Sequence, residues 1–291
     1  MDLSIIILNY NTKDLTLNCI NSIVSQYEDK LNNGRFEIIL VDNNSRDDSV
    51  TAFKKLKLAN FSLIESKENT GFSRGCNLGA RHAKGKFLLF LNSDTQIKDQ
   101  GFLKMIQYFD DKKDLGILGA KLKNEDGTNQ LSAGKFLNLF YLFLMLTSDH
   151  FLYKRFTRVS PNVIKKVDWV SGAALMIKRN TFKLLGGFEK GIFMYMEDME
   201  LCYRARLKGL DTYFFPEIML FHEEGRSSGR TFAIINIYKG VSIFYKKHKS
   251  NFEYKLAIAM LKTKALLLVV LGKILNNKYL LKTYIEALNS I

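Results

Sequence analysis

Leu3-Ser4-Ile5-Ile6-Ile7-Leu8-Asn9-Tyr10-Asn11-Thr12 opens the chain with an unbroken apolar run that ends in asparagines, and the same pattern returns three times. Phe36 to Val41 runs into Asp42-Asn43-Asn44-Ser45, and Phe61 to Ile64 runs into the polar stretch Glu65 to Gly71. Phe87-Leu88-Leu89-Phe90-Leu91, the most apolar of the four, runs into Asn92-Ser93-Asp94. A strand that is apolar at successive rather than alternate positions is buried on both faces, which predicts a parallel sheet covered by helices on each side. Asp14 to Gln26, Asp48 to Leu56 and Arg74 to Ala83 supply those helices. The fold class is therefore α/β, doubly wound, with a mostly parallel central sheet flanked by helices. Such sheets bind ligands outside the carboxyl ends of their strands, so the four polar ends share one edge. Asn9-Tyr10-Asn11-Thr12 has no GxGxxG and no glycine for close approach of a pyrophosphate, which argues against a dinucleotide site.

Beyond this half, Gly116 to Leu122 reads as a strand with a turn at Asn124-Glu125-Asp126-Gly127. Phe136 to Val163 mixes aromatics with Lys154, Arg155 and Arg158 at weak periodicity and reads as a lid. Strands are expected over Trp169 to Ile177 and Thr212 to Phe215, then a turn at Phe215-Pro216-Glu217 and a last strand over Met219 to His222. After Thr231 the pattern is helical. Two parts follow: a core domain over residues 1–230 and a basic amphipathic helical segment over 231–291.

With 291 residues, 47% of them hydrophobic, and only two prolines, the chain can bury a full core and is not a disordered one. Cys19, Cys76 and Cys202 are far apart with no CxxC spacing, and read as reduced packing residues of a cytosolic protein. The first strand begins without a basic leader or cleavage site, so no signal peptide is expected. The longest uncharged apolar stretches, Phe136 to Thr147 and Ala265 to Gly272, fall short of the roughly 20 residues that span a bilayer. The net charge of +14 is concentrated at the end: from Tyr238 onward ten lysines face Glu253 and Glu286, a net of +8. Lys255, Lys262 and Lys273 fall within about 20° of one another on a helix, leaving Leu256, Met260, Leu267 and Val270 to face elsewhere, with Lys264 off the stripe. A lysine-decorated helix packed on its own domain and an interfacial membrane helix both fit this pattern. Nucleic acid fits less well, because arginine and aromatics are not interleaved there.

Three acids crowd into four positions at Glu197-Asp198-Met199-Glu200, just past the glycine pair Gly186-Gly187 and an aromatic run. Helix starts favour negative charge by about 0.3 to 1 kcal/mol, so an ordinary first turn is one reading and general-base chemistry the other. Asp94 follows the most apolar strand. It suits a divalent cation bridging two phosphates, since Mg²⁺ and Mn²⁺ take one or two carboxylates plus phosphate oxygens; a helix cap for the segment that follows is the other reading, and the two roles can coexist. Asp42 reads as an acceptor for a ribose or base, or as a turn residue. Gly71 and Arg74, in Asn69-Thr70-Gly71-Phe72-Ser73-Arg74, offer backbone N–H groups and a guanidinium to an anion. His222 ends the last core strand before Arg226 and Ser228, and reads as a structural histidine or as a metal or diphosphate contact.

Taken in order, Asn9-Tyr10-Asn11, Val41-Asp42-Asn43-Asn44-Ser45, Glu68-Asn69-x-Gly71-Phe72, Leu91-Asn92-Ser93-Asp94, Trp169-Val170-Ser171-Gly172-Ala173, Gly186-Gly187-Phe188, Glu197-Asp198 and His222 resemble family 2 glycosyltransferases, in their bacterial rhamnosyltransferase-like branch. The resemblance covers Leu3 to Ser228. It implies a GT-A fold and inverting transfer of a sugar from a nucleotide-diphosphate donor, with Mg²⁺ or Mn²⁺. Carried over by position, Asp198 resembles the catalytic base with Glu197 beside it. Asp94 and His222 resemble metal ligands, with Asn92 standing where the first acid of a DxD belongs. Asn9, Asn11, Asp42, Asn44, Gly71, Arg74, Asn92, Ser93 and Arg226 are the expected donor-binding set, and Trp169, Ser171 and Gly172 the expected acceptor edge. The branch implies dTDP-rhamnose or a UDP-sugar as donor and a glycan or lipid-linked acceptor. Together with the basic tail, this suggests peripheral association with the inner face of the cell membrane. A sugar nucleotidyltransferase is the rival enzyme, but it should carry a glycine-rich basic signature near the first strand. A non-catalytic basic protein would explain the charge without the ordered acids.

Overall fold

The computed structural model describes residues 1–112, 114–148, 151–223 and 229–291. The opening run is strand β1 (Leu3–Asn9), followed by α1 (Lys13–Asn32), β2 (Phe36–Asp42), α2 (Ser49–Phe53), β3 (Phe61–Glu65), α3 (Gly71–His82) and β4 (Phe87–Asn92). Every element expected in this half is present. Next come β5 (Thr95–Ile97), α4 (Gly101–Asp111), β6 (Leu115–Lys123), β7 (Ala133–Gly134), α5 (Leu139–Thr147), α6 (Phe151–Thr157), β8 (Arg158–Val159), β9 (Lys165–Val167) and β10 (Trp169–Val170). The chain closes with β11 (Ala174–Lys178), α7 (Arg179–Leu184), α8 (Glu197–Leu207), β12 (Asp211–His222), α9 (Arg230–His248), α10 (Asn251–Ile274) and α11 (Lys278–Asn289).

Among the described residues the main sheet has the order β3-β2-β1-β4-β11-β6-β12-β5, with β9 also on β12. β1, β2, β3 and β4 are mutually parallel, as the unbroken apolar runs require, and the register sets Asn9 beside Asp42 and Leu8 beside Asn92. Side chains alternate across the sheet. Leu3, Ile5 and Ile7 meet Cys19, Ile20 and Ile23 of α1, while Ile6 meets Cys76 and Ala80 of α3 on the opposite face.

Two expectations are corrected. Trp169 to Ile177 is not one strand: it breaks at Ser171-Gly172-Ala173. β11 then inserts antiparallel between β4 and β6, and β10 joins a separate small sheet of order β10-β7-β8. An apolar run reads the same in either direction, so the sequence could not show this. A Cβ on Gly119 of β6 would lie 2.2 Å from the Val170 Cβ, so only glycine lets β10 cross so close. Nor do Phe215-Pro216-Glu217 end a strand. β12 continues through them with a register shift between Phe215 and Leu220, a bulge that tolerates the missing N–H of Pro216.

The three C-terminal helices pack on one another and on α5. Tyr238, Val241, Phe244, Ala257, Leu261 and Ala265 enter the same apolar cluster as Phe90, Phe188 and Cys202, so the 231–291 segment shares a core with the sheet. No helix among the described residues is long and apolar enough to cross a membrane. All three cysteines are free and buried, and burial pushes the Cys19 and Cys202 thiols up to about 12, as expected for packing residues.

Candidate active site

The carboxyl ends of β1, β2 and β4 open into a cavity of about 330 Å³ lined by Tyr10, Asn43, Asn69, Gly71, Phe72, Asn92, Ser93, Asp94 and Phe193, among others. Its polar wall is held by asparagines. Asn43 donates from Nδ2 to Asn69 Oδ1 at 2.8 Å and accepts from the Thr70 N–H at 3.0 Å, which fixes the loop that enters α3. Gly71 has φ +79°, and a Cβ there would meet the Phe193 carbonyl oxygen at 2.4 Å, so the close approach of the 193 segment requires glycine.

At the β4 end of the cavity, His222 Nε2 lies 3.3 Å from Asp94 Oδ1 and 3.3 Å from Asn92 Nδ2. Gln130 spends its amide nitrogen on the Asn124 side chain and the His222 carbonyl, both at 2.7 Å, so its Oε1, 2.8 Å from His222 Nδ1, faces that nitrogen as acceptor. This places a proton on Nδ1 and turns Nε2 toward Asn92 and Asp94, where in the neutral ring its lone pair is free to bind a cation. Asp94 Oδ1 is buried with no hydrogen-bond partner among the described residues. An orphaned carboxylate oxygen and an imidazole lone pair 3.3 Å apart fit a shared divalent cation, since adjacent ligands of an octahedral ion bound at about 2.1 Å sit roughly 3 Å from each other. Among the described residues no set of three or more His, Cys, Asp and Glu side chains converges, so phosphate oxygens and water would complete the shell.

On the other side of Phe72 stands the first turn of α8. Asn92 donates its backbone N–H to the Ala173 carbonyl at 3.0 Å, and the preceding residue, Gly172, donates its own to Asp198 Oδ2 at 3.0 Å. Asp198 Oδ1 accepts from the Met199 N–H at 2.7 Å. Asp94 and Asp198 are thereby both tied to the β4 end of the sheet, Asp94 in the cavity lining and Asp198 behind Gly172, outside that lining. A Cβ on Gly172 would touch both Asp198 and the Phe72 ring at 3.5 Å. Burial raises the Asp198 carboxyl, opposed by the two N–H donors and by Arg158. Burial, reinforced by the charge of Asp198, drives Glu197 well above the usual carboxylate range, and Glu197 Oε2 has no partner among the described residues. Burial thus raises both carboxyls, and the two N–H donors on Asp198 make it the more readily ionised of the pair.

Tyr195 (φ 67°) and Met196 (φ 74°) immediately precede the pair, both left-handed without being glycine. Such residues cost about 1 to 3 kcal/mol each and gather at functional sites. A Cβ on Gly240 of α9 would come within 2.9 Å of Met196, so that helix accommodates the turn.

Other expected site residues fall differently. Asn9 is buried, its side chain bonded to Asp42 at 2.7 Å and to Ser45, Thr12 and Thr16, so it braces the edge from inside. Asp42 is buried as well, with one oxygen taken by Asn9 and the other by the Ser45 N–H. Asn11 and Asn44 are exposed in left-handed turns, and Asn43, not Asn44, reaches the cavity wall. Arg74 directs Nε to the Lys190 carbonyl at 2.9 Å instead of facing the cavity, because its long side chain finds a local acceptor. Trp169 is a core residue and not an acceptor floor: it is buried, with its indole N–H on the Lys135 carbonyl. Ser171 accepts from the Ala173 N–H, and Gly172 is the residue that holds Asp198. Arg226 lies outside the described residues. Sequence reasoning missed Asn43, Asn69, Phe193 and Gln130. The first two sit within motifs already singled out, whereas Gln130 gives no local sign of its bond to a histidine 92 residues away.

The sequence matches the family model described as glycosyl transferase family 2 over residues 4–179. It is 28% identical over 162 residues to the rhamnosyltransferase WbbL of Escherichia coli (strain K12), covering 52% of this chain and 60% of that protein. It is 25% identical over 211 residues to the N-acetylglucosaminyl-diphospho-decaprenol L-rhamnosyltransferase of Mycobacterium tuberculosis (strain CDC 1551 / Oshkosh), covering 66% of this chain and 68% of that one. The chain thus spans less than two thirds of the length of WbbL. In three dimensions it superimposes with a TM-score of 0.59 on the mannosyltransferase PcManGT of Pyrobaculum calidifontis, solved in complex with GDP-Man and Mn²⁺, over 99% of this chain and 85% of that one at 15% identity. That likeness carries the GT-A fold. With the model match spanning more than half its length, the chain belongs to glycosyl transferase family 2.

Proposed function

We propose that this chain is an inverting glycosyltransferase that moves a sugar, rhamnose foremost, from a nucleotide-diphosphate donor to a hydroxyl of a glycan or lipid-linked acceptor in cell-surface polysaccharide synthesis. The observation that carries the reading is the Asp94–His222 pair at the β4 end of the cavity, where the backbone also ties Gly172 and, through it, Asp198. The names of WbbL and of the mycobacterial relative favour dTDP-rhamnose, with UDP-sugars next.

Asp198 takes the proton of the acceptor hydroxyl as it attacks the anomeric carbon, and such assistance is worth roughly 10²- to 10⁴-fold. The N–H groups of Gly172 and Met199 aim the carboxylate, and protonated Glu197 adds no second charge beside it. Asn43 and Asn69 fix the loop around the donor base and ribose. Asp94 and His222 would hold Mg²⁺ or Mn²⁺, which supplies positive charge to the departing diphosphate. The fit of this pair to a cation, and the Mn²⁺ in the PcManGT structure, support the assignment. The basic C-terminal helices are consistent with work at the inner face of the cell membrane, where lipid-linked acceptors reside.

The test is release of nucleoside diphosphate from a panel of nucleotide sugars, with Mn²⁺ and with chelator. A single preferred donor, dTDP-rhamnose foremost, should give metal-dependent release, and Asp94→Asn should remove the metal dependence along with the activity. Absence of release or of metal-linked donor binding across the panel would overturn the reading.

A further inference from the structure

Four phenylalanines stand out from α5 and α6: Phe140 is 63% exposed, Phe143 52%, Phe151 66% and Phe156 55%. Aromatic surface on this scale marks an interaction site. α5 packs on α10, whose outward face adds Leu266, Leu267 and Ile274, all more than half exposed. Neighbouring helices far apart in sequence thus each present exposed apolar side chains. Among the described residues of α5, α6 and α10 the charged side chains are cations, Glu253 excepted. Lys154 and Arg155 lie on α6 and Lys255, Lys262 and Lys273 on α10, while α5 and α6 carry no acid among the described residues and the single acid of α10, Glu253, closes a capping box with Ser250. An apolar face rimmed by cations complements a bilayer with anionic headgroups, and helices too short or too charged to cross it lie in its interface.

The same face borders the candidate site. α6 runs directly into β8, where the Arg158 guanidinium sits 5.2 Å from the Trp169 ring. β8 pairs with β7 and β7 with β10, and two residues past β10 is Gly172, which holds Asp198.

We propose that α5, α6 and the outer face of α10 together form a docking surface for an anionic lipid bilayer, with the four phenylalanines seated at the acyl boundary and the lysines among the headgroups. This deepens the reading of a lipid-linked acceptor and rests on it for its purpose, but not for its test. Docking in this orientation turns the Arg158–Asp198 side of the site toward the membrane.

The experiment is flotation of the full chain with vesicles of phosphatidylcholine containing about one third phosphatidylglycerol, against pure phosphatidylcholine, comparing wild type with the combined variant Phe140→Ser, Phe143→Ser, Phe151→Ser, Phe156→Ser. Because the substituted rings are exposed, the variant should keep the wild-type melting curve and its hydrolysis of the donor in the absence of vesicles. Wild type should float with the anionic vesicles, less so in high salt, and the variant should partition on the order of 100-fold more weakly. Leu267→Ser with Ile274→Ser should weaken partitioning in the same direction. Wild type that fails to float, or a variant that floats equally well, overturns the proposal. So does a variant that dissociates a concentration-dependent dimer while floating unchanged, since the face would then be covered by a second copy. Flotation as expected from a protein that neither binds nor turns over any nucleotide sugar, acceptor present, would leave docking intact and sink the catalytic reading alone.

Discussion

Replacing Asp198 with asparagine separates chemistry from folding in a way the geometry lets us scale. Asp198 accepts one N–H on each oxygen, from Gly172 at 3.0 Å and Met199 at 2.7 Å. An asparagine has one oxygen, so in either orientation its NH₂ faces a backbone donor, at a cost of about 1 to 3 kcal/mol. Relief of the buried charge offsets part of this. A net loss near 1 kcal/mol lowers the melting temperature by about 2 to 4 °C, which leaves the enzyme folded at room temperature. Loss of a general base costs roughly 10²- to 10⁴-fold in kcat, or about 3 to 5 kcal/mol of barrier, so the kinetic effect exceeds the structural one. Steady-state release of nucleoside diphosphate, alongside calorimetric donor binding and a melting curve, should show kcat collapsed, donor affinity close to wild type and the fold retained. Because burial raises the Asp198 carboxyl, the acid limb of the wild-type rate profile should lie above the ordinary carboxylate range and disappear in the variant. Wild-type turnover from Asp198→Asn would remove this residue as the base.

Glu197→Gln addresses the other half of the pair. A carboxyl whose folded pKa is raised contributes stability below its ordinary pKa and loses it as pH rises through the folded value. The glutamine variant should therefore match wild type in acid and become the more stable protein as pH rises, by up to about 1.4 kcal/mol per pH unit between the ordinary carboxylate pKa and the raised folded one, and by a constant margin above that. Melting curves across pH that run parallel for the two proteins would refute the buried, protonated Glu197. Glu200→Gln breaks a cluster around a fully buried carboxylate, from which Arg204 Nη2 and His248 Nε2 lie 2.7 and 2.9 Å away while Arg204 also reaches the Gly187 carbonyl at 2.7 Å. Leaving the Arg204 guanidinium without its carboxylate should cost about 3 to 5 kcal/mol, a fall in melting temperature of roughly 6 to 20 °C, and a change below about 1 kcal/mol would contradict it. Burial pushes Glu200 up, but His248 and Arg204 outweigh it and hold the carboxyl below its ordinary value. The wild-type contribution is therefore present above the ordinary carboxylate pKa and lost as pH falls through the lowered one.

The sequence by itself determined the layered α/β architecture, because Leu3–Leu8, Phe36–Val41 and Phe87–Leu91 are apolar at every pleat position but Ser4 and Glu37, and only a strand covered on both faces tolerates that. Ser4 and Glu37 are accommodated there by bonding to each other at 2.6 Å. It also marked where chemistry could lie, because polar residues at strand ends must share an edge once the strands are parallel. Only the tertiary structure decided which of them act together. The antiparallel insertion of β11 carries Gly172 and Ala173 to the end of β4, and through that crossing Asp198 is tied to the same strand end as Asp94. Arg74 and Trp169 were misread for the same reason that Gln130 was invisible. Residue type announces what a side chain can bond, but a long arginine, a buried indole and an amide 92 residues from its histidine take whichever partner the packed chain brings within about 3 Å, and that proximity is not written in any local stretch.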